Sequence, residues 1–214
     1  MSAEAHPDRA SIIVFSDFVC PWCYIGHLEL GRLKEEYAVD IRWSPFLLDP
    51  AVPPEGRPQE RRTNDGDPPT PIEVRGQSLG VTYARGRTYR PNSHLALEAA
   101  MWASGLAADD APLHRALYRA HFEELDNIGD IDVLVRLASE AGFDGAALRI
   151  ALESGQFRDT VDEAMQWAQG IGVTAVPTFV VDGRRGIVGA QELPVFRQLL
   201  GQLGHSPVRP IEQG

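Results

Sequence analysis

The sequence predicts an α/β fold: one sheet assembled from the two ends of the chain, with a large all-helical insertion between its second and third strands. Three observations carry that expectation. Residues 11–17, Ser-Ile-Ile-Val-Phe-Ser-Asp, hold an apolar run of the kind shown by a strand covered on both faces. From His94 to Ala168 the apolar period is helical nearly throughout. Thr178 to Val181 then restores strand character, with a turn signal and a terminal helix after it.

Ile25, Leu28, Leu30 and Leu33 give a loosely amphipathic helix from Cys23 to about Tyr37, closed by Lys34, Glu35 and Glu36. Val39, Ile41 and Trp43 alternate with Asp40, Arg42 and Ser44, the period of a strand with one buried face. Asp49 to Pro71 contains Pro50, Pro53, Pro54, Pro58, Pro68, Pro69 and Pro71, which do not suit a helix interior. A long loop is expected there, either a lid or a surface excursion without a role. Thr70-Pro71-Ile72-Glu73 carries a helix start, with Thr as cap, Pro at the first position and Glu reaching back.

Within the helical block Leu95, Ala99, Trp102 and Leu106 share one face, and Leu113, Ala116, Leu117 and Ala120 share another. Ile131, Leu134, Ala138 and Ala141 share a third. Gly105, Gly142 and Gly155 stand where these faces stop and can supply the positive φ of a helix C-terminus. Asp182-Gly183 opens a tight turn with residues 186–190 returning, and Leu193, Phe196, Leu199, Leu200 and Leu203 line a last helix. The expected organisation is a discontinuous domain of residues 11–48 and 159–203, a proline-rich loop plus helical insertion at 49–158, and flexible tails at 1–10 and 204–214.

A formal net charge of −10 over 214 residues argues against nucleic-acid or anionic-membrane partners, both of which reward a basic face. No apolar run approaches the roughly 20 residues of a membrane helix. The first ten residues lack the basic start and apolar stretch of a secretory signal, so a cytoplasmic location is expected. In that reducing compartment a persistent structural disulfide is disfavoured.

The chain has two cysteines, and both fall in Phe18-Val19-Cys20-Pro21-Trp22-Cys23-Tyr24-Ile25. A zinc site needs four ligands, and His6, His27, His94, His114, His121 and His205 show no suitable spacing near a cysteine pair, so no metal is expected. Two buried cysteines acting as small apolar groups fit poorly with the Pro21-Trp22 insert just after a strand. A redox pair has a mechanism. If Cys20 caps the following helix, free backbone N–H groups and the helix dipole stabilise its thiolate. That thiolate attacks a disulfide, and Cys23, one turn on, resolves the mixed disulfide. Pro21 and Trp22 shape the turn and flank the sulfur.

Thr174-Ala175-Val176-Pro177-Thr178-Phe179 is the second feature. A proline opening an apolar strand is either a trans residue at a strand start or a cis bond turning the chain in beside the cysteines. A cis bond leaves the Val176 backbone free to pair with an extended substrate.

Together these segments resemble the thioredoxin superfamily, within it the DsbA-like branch with its helical insertion, and within that the FrnE-type thiol–disulfide oxidoreductases. Asp17-Phe18-Val19-Cys20-Pro21-Trp22-Cys23-Tyr24-Ile25-Gly26 is similar to that group's active-site segment, and residues 172–179 with Gly189-Ala190-Gln191 to its proline region. Pro91-Asn92-Ser93-His94 and Asp126-Asn127-Ile128-Gly129-Asp130 resemble the borders of its insertion. The likeness covers roughly residues 11 to 203. It implies a thioredoxin-like fold, Cys20 as nucleophile, Cys23 as resolving thiol and Pro177 as the cis-proline.

Further candidates carry two readings each. Asp17 is either a proton acceptor for Cys23 or, preferentially, a polar strand end. His27 tunes Cys23 or, preferentially, sits solvated on its helix. Arg85, Arg87 and Arg90 meet a carboxylate such as glutathione's or lie in a solvated loop. Trp102, Phe122 and Trp167 line a groove or belong to the core. The expected activity is thiol–disulfide exchange on a protein disulfide or a small thiol, with no bound cofactor and glutathione as a possible co-substrate; the sequence leaves the oligomeric state open. Two rivals stand: a glutathione-dependent isomerase or kappa-type transferase of the same fold, and a non-catalytic peptide-binding module.

Overall fold

The computed structural model describes residues 9–106 and 110–209. The central sheet has four strands in the order β2-β1-β5-β6. β1 (Ala10–Ser16) runs parallel to β2 (Val39–Pro45) and antiparallel to β5 (Thr178–Val181), and β5 pairs antiparallel with β6 (Arg185–Val188). Between β1 and β2 lies α1 (Pro21–Glu36), and after β6 comes α8 (Leu193–Gln202). The insertion holds α2 (Pro71–Gln77), α3 (His94–Ser104), α4 (Ala111–Phe122), α5 (Ile131–Glu140) and α6 (Gly145–Glu153), and α7 (Arg158–Gly170) leads back to the sheet. β3 (Arg57–Pro58) of the proline-rich loop pairs with β4 (Tyr89–Arg90), which lies between α2 and α3, as a separate two-stranded ribbon. The fold is the thioredoxin-like α/β arrangement with a helical insertion. Among the described residues no helix is long and apolar enough to cross a membrane.

Register decides where the distant segments meet. Phe15 at the end of β1 pairs with Thr178 at the start of β5. The loop leaving β1 and the turn entering β5 are therefore neighbours, although the insertion separates them in sequence. One face of the sheet buries Ile12, Val14, Phe179 and Val181 under Leu30 and Leu33 of α1 and Phe196 and Leu200 of α8. On the other, Phe15 and Phe46 pack with Ala168 of α7 and Val173. A separate core in the insertion reaches Phe18, Cys20, Cys23 and Tyr24. Tyr24 stacks on Tyr118 of α4 with ring centroids 5.1 Å apart and planes 8° from parallel.

Several expectations are refined. α1 begins at Pro21 rather than Cys23, and it is covered on most sides: His27, expected in solvent, is buried against Trp43 and Tyr118. The single apolar face expected of α3 is too narrow, because neighbours on several sides bury Ala96, Leu97, Ala100 and Ala103 as well, while Leu106 is 64% exposed. Gly142 (φ 89°) and Gly155 (φ 66°) take the left-handed conformation that glycine adopts without penalty, but Gly105 keeps a helical φ of −76°. The hairpin turn has positive φ at both Asp182 and Gly183, the geometry that matches strand twist. Of the tails expected at 1–10 and 204–214, residues 1–8 and 210–214 lie outside the described residues. The rest are tied down: Ala10 N–H donates to the Ala38 carbonyl at 3.0 Å, and Val208 N–H donates to the Glu36 carbonyl at 2.7 Å. His205 Nε2 lies 2.7 Å from the Asp182 carboxylate.

Gly26 lets α1 close onto the start of β5: a Cβ there would lie 2.8 Å from Phe179 Cζ and 3.6 Å from Pro177 Cγ. Gly26→Ala should therefore destabilise the protein by about 1–3 kcal/mol through overpacking, read as a lower urea midpoint at unchanged slope. His27 supplies a pH dependence. Burial, with the neighbouring His114 adding to it, lowers its pKa from 6.5 to about 3. Between those values the unfolded chain holds the extra proton, so stability falls as pH drops through that window. His27→Phe should flatten the fall in urea midpoint between pH 7 and pH 4.5.

Candidate active site

Pro21 sets the tip of α1. At the first helical position its missing N–H is one that would have no partner in any case, and its φ suits the helix. Cys20 is thereby left as the N-cap, at φ −93° and ψ 113°. Its carbonyl accepts from Cys23 N–H at 3.0 Å and Tyr24 N–H at 3.4 Å, and its own N–H donates to the Asp17 carbonyl at 3.1 Å. The Cys20 thiol donates to the Val176 carbonyl at 3.5 Å, and the Val176–Pro177 peptide is cis. The turn is held from behind: Thr178 Oγ1 donates to the Ala175 carbonyl at 2.7 Å, and Gly189 N–H to the Pro177 carbonyl at 2.8 Å. Cys20, Cys23, Val176 and Pro177 thus meet at one place, with Trp22 at 40% exposure on the surface of the same helix tip.

Both thiols are free and buried, yet their acidities diverge. Cys23 hydrogen-bonds the Cys20 sulfur, and the backbone N–H groups of Cys23 and Trp22 add to it, holding Cys20 below the usual thiol range against the cost of burial. Burial, with that same hydrogen bond, pushes Cys23 well above the range. The arrangement favours ionisation of Cys20 over that of Cys23.

Asp17 is fully buried, and its carboxylate accepts from Leu48 N–H at 2.7 Å and Val19 N–H at 3.3 Å. Burial raises its pKa in spite of those bonds, and its charge opposes ionisation of both thiols. The arginines expected in a solvated loop are engaged instead. Arg85 meets Glu73 at 2.7 Å and donates to the carbonyls of Asn64 and Asp67 at 2.6 and 2.8 Å. Arg87 donates to the His121 carbonyl, and Arg90 pairs with Asp49 at 3.0 Å. Glu73 also completes the capping box of α2 with Thr70, so Arg85 fastens the proline-rich loop to that helix. Trp102 belongs to the insertion core, Phe122 is half-buried against Tyr83, and Trp167 packs on Phe15. Among the described residues no group of three or more His, Cys, Asp or Glu side chains stands together as a metal site.

Sequence reasoning missed Tyr83, whose hydroxyl donates to the Pro21 carbonyl at 2.9 Å. It lies in a stretch without period, so no pattern marks it. Gly26 stood in the quoted segment, but only the packing of Phe179 shows why a larger residue would not fit.

Fold and site together define a thioredoxin-like protein with a dithiol at a helix tip beside a cis-prolyl turn. The chain belongs to the DsbA-like thioredoxin domain family, which it matches over residues 11–201. It is an enzyme of that family's thiol–disulfide oxidoreductase type. It is 32% identical over 191 residues to protein YwbO of Bacillus subtilis, covering 88% of this chain and 94% of that protein. Among solved structures it superposes on a probable DsbA oxidoreductase from Streptomyces coelicolor with a TM-score of 0.76 at 25% identity, covering 94% of each chain. It shares the fold of the cytosolic disulfide reductase DsbM from Pseudomonas aeruginosa, solved with glutathione, with a TM-score of 0.65 at 19% identity, covering 90% of this chain and 98% of that one.

Alkylation by iodoacetamide, followed against pH, should show one thiol titrating below the ordinary value of about 8.5, and that phase should vanish in Cys20→Ser. Cys23 in the Cys20→Ser protein should react only at distinctly higher pH.

Proposed function

We propose that the protein is a FrnE-type thiol–disulfide oxidoreductase of the cytoplasm that works through the Cys20–Cys23 pair. One observation carries this reading: two thiols on one helix tip are driven to opposite acidities beside the Val176–Pro177 turn. The Cys20 thiolate attacks a substrate disulfide in line, forming a Cys20–substrate disulfide and expelling the other substrate sulfur as thiolate. Cys23 then loses its proton to water or to Asp17 and attacks Cys20. This forms the Cys20–Cys23 disulfide and releases the second substrate thiolate. Two electrons pass from the dithiol to the substrate, and an external thiol returns them; glutathione is the co-substrate we assign. The dithiol is itself the redox group, so the cycle calls on no bound cofactor.

Other groups take positioning roles in this proposal. Pro21 sets the helix tip, Trp22 offers an apolar plate, and the Val176 backbone pairs with the incoming chain. Among the described residues the Val176 N–H has no backbone partner, which supports that pairing. We read residues 11–48 and 159–203 as the catalytic unit and 49–158 as its cover. A glutathione-dependent isomerase of this fold has no use for a resolving thiol, whereas Cys23 here is buried and hydrogen-bonded to Cys20.

The test is trapping. With oxidised glutathione, Cys23→Ser should accumulate a stable mixed disulfide on Cys20, seen by mass, while the wild type passes through to an internal disulfide. Cys20→Ser should trap little and lose insulin reduction. A Cys20→Ser protein that retains full insulin reduction would sink the reading.

A further inference from the structure

A cleft of about 460 Å³ opens beside the tip of α1, within the usual range for small-molecule sites. Val19 and Pro21, the residues on either side of Cys20 in the chain, line it, which puts the cleft at the same helix tip as the dithiol. Its charge is unlike that of the chain, whose formal net charge is −10. Arg62, Arg87 and Arg90 all line the cleft, and the one carboxylate side chain among its lining residues is Glu73. Arg85 occupies both oxygens of Glu73, at 2.7 and 2.9 Å, and Asp49 holds Arg90 at 3.0 Å. Arg62 and Arg87 are left over. Among the described residues neither has a carboxylate within ion-pair distance, and Arg87 meets only the His121 carbonyl. Burial lowers the Arg87 pKa to about 10, which still leaves it charged at neutral pH.

His121, whose carbonyl holds Arg87, forms part of the same wall. His121 lines the same cleft, is 4% exposed, and its Nδ1 has no hydrogen-bond partner. Burial holds its pKa well below the ordinary value, so the ring is neutral and has one donor and one acceptor nitrogen. The charge that acts on Arg87 from nearby is Asp126, which is itself paired with Arg136, so this half-buried cation has no carboxylate in contact. A carboxylate is the group that meets an arginine fork in bidentate fashion.

We propose that this cleft seats a carboxylate of an acidic low-molecular-weight disulfide, with Arg87 and Arg62 as its ligands. The pair then prefers carboxylate-bearing disulfides over neutral or cationic ones of equal intrinsic reactivity. The inference rests on the reading of Cys20 as the attacking thiol.

The test mixes prereduced full-length protein with excess oxidised glutathione, neutral hydroxyethyl disulfide or cationic cystamine. The second-order rate of dithiol oxidation is read by acid-quenched alkylation and divided by the rate of the same disulfide with free dithiothreitol. The normalised rate should be about tenfold higher for the anionic than for the neutral disulfide at low salt, lowest for cystamine, and the spread should shrink with added salt. Arg87→Gln and Arg62→Gln should each cut the anionic rate roughly three- to tenfold and leave the neutral one within about twofold. Arg149→Gln, a surface residue of α6 paired with Asp132, should change none of the three. Equal normalised rates in the wild type, or arginine variants that slow all three disulfides alike, overturn the subsite and leave the proposed exchange reaction standing. Failure of all three disulfides to oxidise the pair would instead overturn that reaction, and the subsite with it. Should Arg87→Gln not fold, Arg62→Gln, which is exposed, decides alone.

Discussion

One sulfur, held at the tip of a buried helix against a carbonyl 156 residues further along the chain, is the contact that the rest of the molecule serves. It exists because β1 and β5 are central neighbours with Phe15 opposite Thr178. The loop after one strand and the turn before the other must then share a corner of the sheet. Gly26 lets α1 approach that corner closely, and the Thr178 and Gly189 hydrogen bonds fix the turn from the far side. A change in either neighbour shifts the sulfur relative to Val176.

The difference between the two thiols comes from the insertion as much as from the helix. Backbone groups favour thiolate at both sulfurs, Trp22 and Cys23 at Cys20 and Asp17 at Cys23. Cys23 lies one turn inward, where Tyr24 and Tyr118 and the surrounding core exclude water, and burial there outweighs the backbone. Cys20 stands at the edge of that core, and the proton retained on Cys23 serves it as a hydrogen-bond donor. The cover that α4 lays over the start of α1 thus weighs on which thiol ionises. Asp17 adds to the same balance from the strand side, a buried acid whose charge resists a second anion.

Charge on the insertion side follows a comparable division. Glu73 is lowered to about 2, chiefly by the Arg85 hydrogen bonds, and it closes the first turn of α2 while Arg85 gathers the loop carbonyls around it. The proline-rich segment, which could not fold as a helix, becomes a wall beside the dithiol. Asp49 does the same for Arg90. Acids used in this way leave Arg62 and Arg87 facing the cleft without a carboxylate partner among the described residues.

Much of this was legible in the residues. The continuous apolar run before Cys20, the alternation at Val39, Ile41 and Trp43, and the helical period from His94 onward mark elements because burial repeats with the backbone geometry. Thr70 to Glu73 announced a capping box because its partners are three residues apart. What depends on contacts between distant segments was not legible. His27 has the spacing of a surface residue, and its burial follows from the approach of Trp43 and Tyr118. Tyr83 binds Pro21 from a stretch with no period, and Arg85 and Arg87 differ only in which acids the folded loop brings near. Local pattern alone named the chemistry, a dithiol at a helix start, because both sulfurs and the helix tip are contiguous in the chain. Cys20 as the more acidic sulfur could be read from its place at the helix start, but the burial that raises Cys23, and what lies beside the pair, came only with the packing of the insertion, since burial and long-range pairing have no period to read.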